Sequence, residues 1–162
     1  MEDKFITLVS SDGEKYRISS KAVLRSQLVK GIIEDYPDDP EVPLTNVKGS
    51  ILKKVIEYLD HYAGTEPKEI ERPLSNQNYQ ECVDAWDYNF IDMDLDLVFE
   101  LILAANYMDI KPLLELASSK VASIIKGKSP EEIRKIFNIQ NDFTPEEEAQ
   151  IREENQWCID NL

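Results

Sequence analysis

His61 is the only histidine of this chain, and Cys82 and Cys158 are its only cysteines. The residue types that most often supply nucleophiles, proton shuttles and metal ligands are therefore nearly absent. His61 falls within a predicted helix with neither a nucleophile nor metal-ligand spacing around it, which assigns it a surface or packing role. The two cysteines lie far apart, fit neither a disulfide framework nor a zinc motif, and point to a reducing compartment. The five glycines, at 13, 31, 49, 64 and 127, form no cluster able to cradle a phosphate. Carboxylates are so abundant that an acid and base pair for hydrolysis is available by count alone, which makes the signal unspecific. Asp92-Met93-Asp94-Leu95-Asp96 begins like a calcium loop, but Leu97 stands at the glycine position and Leu103 at the closing glutamate. Asp94 reads better as a helix cap. No catalytic residue, metal or cofactor is expected.

The 32 acidic residues outweigh 18 basic ones, for a formal charge of -14. Such a surface repels phosphate backbones and anionic lipid, so nucleic acid and membranes are excluded as partners. The acidity serves solubility or the steering of a basic partner. With 42% hydrophobic and 31% charged residues in 162, the chain suits one folded domain, or one domain with a short appendage. No basic leader precedes an apolar run and no apolar stretch approaches about 18 residues, which leads to an expected home in the cytoplasm and nucleus.

The elements that must position any site come from periodicity and caps. Phe5 to Val9 and Glu14 to Ile18 flank the Ser11-Asp12-Gly13 turn and predict a β-hairpin. Ser19 or Ser20 caps one or two helices carrying Val23, Leu24, Leu28, Ile32 and Ile33, which end before Pro37. Acidic residues and prolines from 34 to 41 predict a solvated loop, and Val42 to Leu44 a brief strand. Asn46 is placed to cap a helix whose stripe is Val47, Ile51, Val55, Leu59 and Tyr62. Residues 65–85 lose periodicity and read as a surface loop with partial disorder. Leu95 to Met108 is apolar around its circumference, which predicts a helix at the centre of the core. Pro112 suits the first turn of the next helix, and Gly127 its end.

Ser129-Pro130-Glu131-Glu132 and Thr144-Pro145-Glu146-Glu147 each match a capping box, so two further helices are predicted. Their large apolar residues are few: Ile133, Ile136, Phe137, Ile139, Phe143, Ile151 and Trp157. Two arrangements fit that thin supply, one in which the helices fold back and bury these side chains and one in which a partner covers them.

Longer strings carry a resemblance. Val42-Pro43-Leu44-Thr45-Asn46-Val47 is followed by Ile51-Leu52-Lys53-Lys54-Val55-Ile56-Glu57-Tyr58. Trp86-Asp87 and Phe90 precede Phe99-Glu100-Leu101-Ile102-Leu103-Ala104-Ala105-Asn106-Tyr107-Met108-Asp109-Ile110-Lys111. The pattern continues from Ile125 to Ile139, from Asn141 to Glu148, and through Asn155-Gln156-Trp157-Cys158. In order, spacing and extent the chain resembles the S-phase kinase-associated protein family, adaptors that join F-box proteins to a cullin in SCF ubiquitin ligases.

The resemblance implies an α/β fold of the BTB/POZ type at residues 1–126, binding a cullin, with a C-terminal helical extension at 127–162 that binds F-box proteins. It places the cullin contact at Asn106 and Tyr107. The F-box contact falls on Ile133, Ile136, Phe137, Ile139, Ile151 and Trp157. Pro145 matches a proline that is hydroxylated and glycosylated in some protist relatives. A weak homodimer of the free chain is a further expectation, and a self-associating BTB-like domain outside any ligase is the alternative function. Thr45, His61-Tyr62, Ala117-Ser118-Ser119 and the ending Ile159-Asp160-Asn161-Leu162 depart from the family pattern and bear on which F-box proteins are preferred.

Overall fold

The computed structural model describes residues 4–39, 41–75 and 78–159. The chain divides into two compact units, Met1–Ser123 and Ile124–Leu162. In the first unit, β1 (Phe5–Val9) and β2 (Lys15–Ser19) form the expected antiparallel hairpin, with Leu8 opposite Tyr16. β3 (Glu41–Pro43) adds to the other side of β1 in parallel, Val42 beside Leu8, giving the order β2-β1-β3. Pro43 is tolerated because β3 is an edge strand. Alternation puts Ile6, Leu8, Ile18 and Val42 into the core and leaves Phe5 and Arg17 on the open face, the guanidinium lying over the ring.

Two helices follow the hairpin. α1 (Ser20–Val23) is capped by Ser19, and α2 (Gln27–Asp35) by Ser26, a cap that the periodicity did not reveal. Leu24 falls between them and is exposed rather than part of the apolar stripe. α3 (Gly49–His61) begins later than expected: its N-cap is Lys48, not Asn46, and Val47 and Tyr62 lie outside it, both buried. The reason is tertiary. Lys48 makes no side-chain cap bond, and the Gly49 N–H instead donates to Asp12 Oδ1 at 2.8 Å, so the hairpin turn caps this helix.

The stretch expected as a loop is partly built. α4 (Tyr79–Cys82) and α5 (Ala85–Phe90) form there or at its end, and Ile70, Tyr79 and Val83 are buried in the core. Aperiodic apolar residues can be docked by an existing surface without forming a helical stripe. Of the order expected or denied for this stretch, Asn76 and Gln77 lie outside the described residues, as do residues 160–162 of the divergent ending. His61 stacks on Trp86 with centroids 3.7 Å apart, and Trp86 on Phe90 at 5.0 Å, so the histidine packs in an aromatic group with Tyr58 and Tyr62.

α6 (Leu95–Tyr107) has Asp94 at its N-cap position without a side-chain cap bond. Its expected place at the centre of the core is corrected. Val98, Leu101, Ala104 and Ala105 are buried, whereas Leu97, Phe99 and Leu103 are exposed, Leu103 by 69%. All-round apolarity here marks one face for the core and another left uncovered. α7 (Lys111–Ile125) starts with Pro112 in its first turn and stops before Gly127, whose φ of 72° closes the helix. No helix among the described residues is long and apolar enough to cross a membrane.

The second unit holds α8 (Pro130–Ile136), α9 (Pro145–Glu154) and α10 (Gln156–Ile159). Both capping boxes are complete: Ser129 Oγ accepts from Glu132 N at 3.2 Å while Ser129 N donates to Glu132 Oε2 at 2.8 Å, and Thr144 and Glu147 repeat the arrangement. The donated bond holds the Glu132 carboxyl below its usual range.

Two outcomes test this architecture. Ser26 is fully buried, accepts from Val29 N and donates to Met108 O at 2.5 Å. Ser26→Ala removes a cap and a buried hydrogen bond, and should lower stability by about 2 kcal/mol in urea titration without changing the m-value. Asp87 is 4% exposed, and burial raises its carboxyl above the usual range, against the lowering bond from the Tyr62 hydroxyl. The folded chain then holds a proton that the unfolded chain releases near pH ~3.9, so this group's contribution is fully present below that pH and is lost as pH rises through the raised folded value. Asp87→Asn should remove that slope. Parallel pH profiles for the two proteins would contradict the assignment.

Candidate functional site

The residues singled out in the sequence fall on two surfaces, one in each unit. The first is built on the C-terminal end of α6. Met108 N bonds back to Ala104 O, and Asp109 takes a φ of 49°, which brings Ile110 N onto Ala105 O at 2.9 Å and ends the helix. The carbonyls left over are met by α2, where Gln27 N donates to Asp109 O at 3.2 Å and Ser26 Oγ to Met108 O. The last turn of α6 is thereby locked in one conformation, with Asn106 exposed and Tyr107 half-buried against the core.

Asn106 continues the line of Phe99 and Leu103 at helical spacing, so one side of α6 presents an apolar ridge ending in an amide. The sequence reading passed over Phe99 and Leu103 because apolar residues inside a buried-looking helix were assigned to the core. Their i, i+4, i+7 alignment with the polar Asn106 was the available signal.

The second surface is formed by α8 and α9, neither of which contains a buried residue. Ile136, Ile139, Ile151 and Trp157 are exposed, Trp157 by 68%, and Ile133 and Phe137 are half-buried. Phe143, outside the expected contact set, is exposed as well. Ion pairs join the two helices: Arg134 reaches Glu148 at 3.3 Å and Arg152 reaches Glu131 at 3.4 Å. Asn138, with a φ of 53°, turns the chain out of α8, and Ile139 N bonds to Arg134 O at 2.8 Å. Pro145 occupies the first position of α9, exposed, where its missing N–H costs nothing. Among the described residues no three His, Cys, Asp or Glu side chains converge on a metal position, and neither cysteine forms a disulfide.

Comparison with known proteins settles which lineage carries this pair of surfaces. Residues 4–64 match the model of the Skp1 family tetramerisation domain, a POZ domain, and residues 111–158 that of the Skp1 family dimerisation domain. The S-phase kinase-associated protein 1 homolog of Tetrahymena thermophila is 52% identical over 154 residues, 94% of this chain and 93% of that protein. Proteins named E3 ubiquitin ligase complex SCF subunit sconC are similar as well. That of Arthroderma benhamiae is 51% identical over 94% of each chain. That of Talaromyces marneffei is 49% identical over 96% of this chain and 97% of its own.

The chain belongs to the Skp1 family.

Membership accounts for the mixed α/β body with its three-stranded sheet and for the helical C-terminal part. The Skp1-family match also covers these apolar side chains: Ile133, Ile136, Phe137, Ile139, Ile151 and Trp157 all lie within the segment matched as the dimerisation domain. The exposure of Trp157 carries a direct consequence. Removing a side chain that is mostly in solvent changes little in the folded state, so Trp157→Ala should shift stability by no more than about 0.5 kcal/mol. Amides from 131 to 157 should exchange with solvent faster than those of α3 and α6, because few apolar contacts oppose local opening. Protection of the whole segment at the level of α3 would show that it is covered after all.

Proposed function

We propose that this chain is the adaptor subunit of an SCF-type E3 ubiquitin ligase, joining a cullin to F-box substrate receptors and contributing no bond chemistry of its own. The observation that carries the reading is a pair of exposed surfaces, one in each unit, on a chain whose described residues hold no cluster of three or more His, Cys, Asp or Glu side chains. The names of the Tetrahymena and fungal relatives point the same way. Such a protein works through surfaces rather than a reaction centre.

In this reading the cullin docks at the end of α6, with Asn106 offering an exposed amide beside the half-buried ring of Tyr107. The rigid turn locked by α2 presents both without an ordering cost at binding. F-box proteins cover the apolar anchors of the second unit, Ile133, Ile136, Phe137, Ile139, Ile151 and Trp157. Large apolar and aromatic side chains set among charged residues are the composition of a binding hot spot, and α9 begins with Glu146, Glu147 and Glu148, which favour a partner with a basic rim. Pro145, exposed at the start of α9, is open to hydroxylation, which intact mass of the native protein would register as one added oxygen. Action in the cytoplasm and nucleus goes with this reading, and imaging of the tagged protein tests it.

The deciding experiment is affinity capture of the tagged chain with identification of its partners by mass spectrometry. A cullin and several F-box proteins are expected, and capture of neither from the chain's own cell extract overturns the reading. Changing Asn106 and Tyr107 together to Lys should abolish cullin capture while F-box capture and the circular dichroism spectrum persist. Trp157→Ala should weaken an F-box peptide by on the order of 2 kcal/mol. A tight homodimer in sedimentation, indifferent to that peptide, would instead favour a self-associating domain outside any ligase.

A further inference from the structure

A cavity of about 200 Å³ in the first unit lies beneath residues 67–70, lined by Tyr58 of α3, Asp87 of α5 and Glu115 and Leu116 of α7. Its space equals roughly six waters at about 30 Å³ each. Tyr58 is 1% exposed, yet its hydroxyl has no hydrogen-bond partner among the described residues. No side-chain polar atom among those residues is both fully enclosed and unpartnered, so the hydroxyl must open onto free space, and the cavity it lines is that space.

Asp87 adds a second unmet acceptor. Its Oδ1 takes the Tyr62 hydroxyl at 2.9 Å, its only hydrogen bond among the described residues, whereas a carboxylate offers about four acceptor positions. Among the described residues no salt bridge reaches it. The charges that act on it are Asp84, which opposes its ionisation, and His61, which aids it weakly. Asp87 and Glu115 both oppose ionisation of the Tyr58 phenol, which places the two carboxyls within electrostatic reach of that hydroxyl. Glu115 is held by Arg72 at the surface, and the exposed Lys68 lies on the wall formed by the connecting segment.

The lining therefore combines a buried carboxylate, a phenol oxygen and ring, and apolar walls from Ile70 and Leu116. A charge-assisted donor answers the first, the phenol oxygen accepts a second N–H, and the walls take an alkyl group. Too few ligating side chains converge for a metal ion. We propose that this cavity binds a small primary alkylammonium, its N–H groups donating to Asp87 and the Tyr58 oxygen and its alkyl chain lying against Ile70 and Leu116.

The test is titration of the full chain with n-butylammonium chloride, read by amide chemical shifts and by thermal denaturation, with 1-butanol as the neutral isostere and sodium chloride as the salt control. Saturable shifts at residues 58, 70, 87 and 116 are expected with the amine alone, together with a raised Tm. Asp87→Asn should weaken binding by about tenfold or more, since a charged acceptor is lost. Tyr58→Phe keeps the ring and loses only the oxygen, and should weaken it several-fold. That variant decides the matter if Asp87→Asn does not fold. No saturable response to the amine would mean that the cavity holds water only. Equal binding of 1-butanol, or full affinity in the folded variants, would also overturn the proposal.

Discussion

The body of this protein turns on the meeting of two helix ends. The last carbonyls of α6 and the first N–H groups of α2 have no partners within their own helices, and each end supplies what the other lacks: Gln27 N to Asp109 O, and Leu28 N to Met108 O. Ser26 stands between them, fully buried, its hydroxyl capping α2 and donating to Met108 O. The opposed helix dipoles favour the same approach, since the positive N-terminal end of one faces the negative C-terminal end of the other. Residues 82 positions apart in the chain are joined there. The rigidity of the surface that carries Asn106 follows from it.

A comparable device holds the opposite side of the body. Asp12, in the turn of the hairpin, accepts from Ser10 Oγ at 2.5 Å and from Gly49 N at 2.8 Å, binding the sheet to the start of α3. These two bonds, that from Ser10 first, hold its carboxyl below the usual range. Between the two anchors the core fills with aliphatic side chains from the sheet, α3, α6 and α7, and with the aromatic group around Tyr58. The C-terminal unit is sustained differently. α8 and α9 bury no residue, and capping boxes and the ion pairs of Arg134 and Arg152 contribute to holding them. Local interactions of this kind are each worth little, so the unit suits a role in which a partner supplies the apolar burial.

The hairpin, the two capping boxes and the end of α7 before Gly127 were legible in the sequence because each is written within a few residues. A turn, a hydroxyl three positions before a glutamate, or a glycine after an apolar stripe acts on its own neighbourhood. The Skp1-family resemblance was legible for another reason, being spread over nearly the whole chain and borne by order and spacing. Asn106 and Tyr107 were named from it, and the positions they occupy, one exposed and one half-buried, could not have been read from residue types alone.

What the sequence by itself determined is therefore the hairpin, the longer helices from α3 to α9 outside the 65–85 stretch, and the family. Tertiary structure decided three further things. It moved the start of α3 from Asn46 to Lys48, since the capping oxygen comes from Asp12, outside the window of local signals. It docked Ile70, Tyr79 and Val83 from a stretch without periodicity, since burial needs only a neighbouring apolar surface, not a repeating pattern. And it left Phe99 and Leu103 exposed on a helix whose composition called for burial all round. Hydrophobicity is a property of the residue, whereas burial depends on whether another element arrives to cover it, and Leu103 stays 69% exposed.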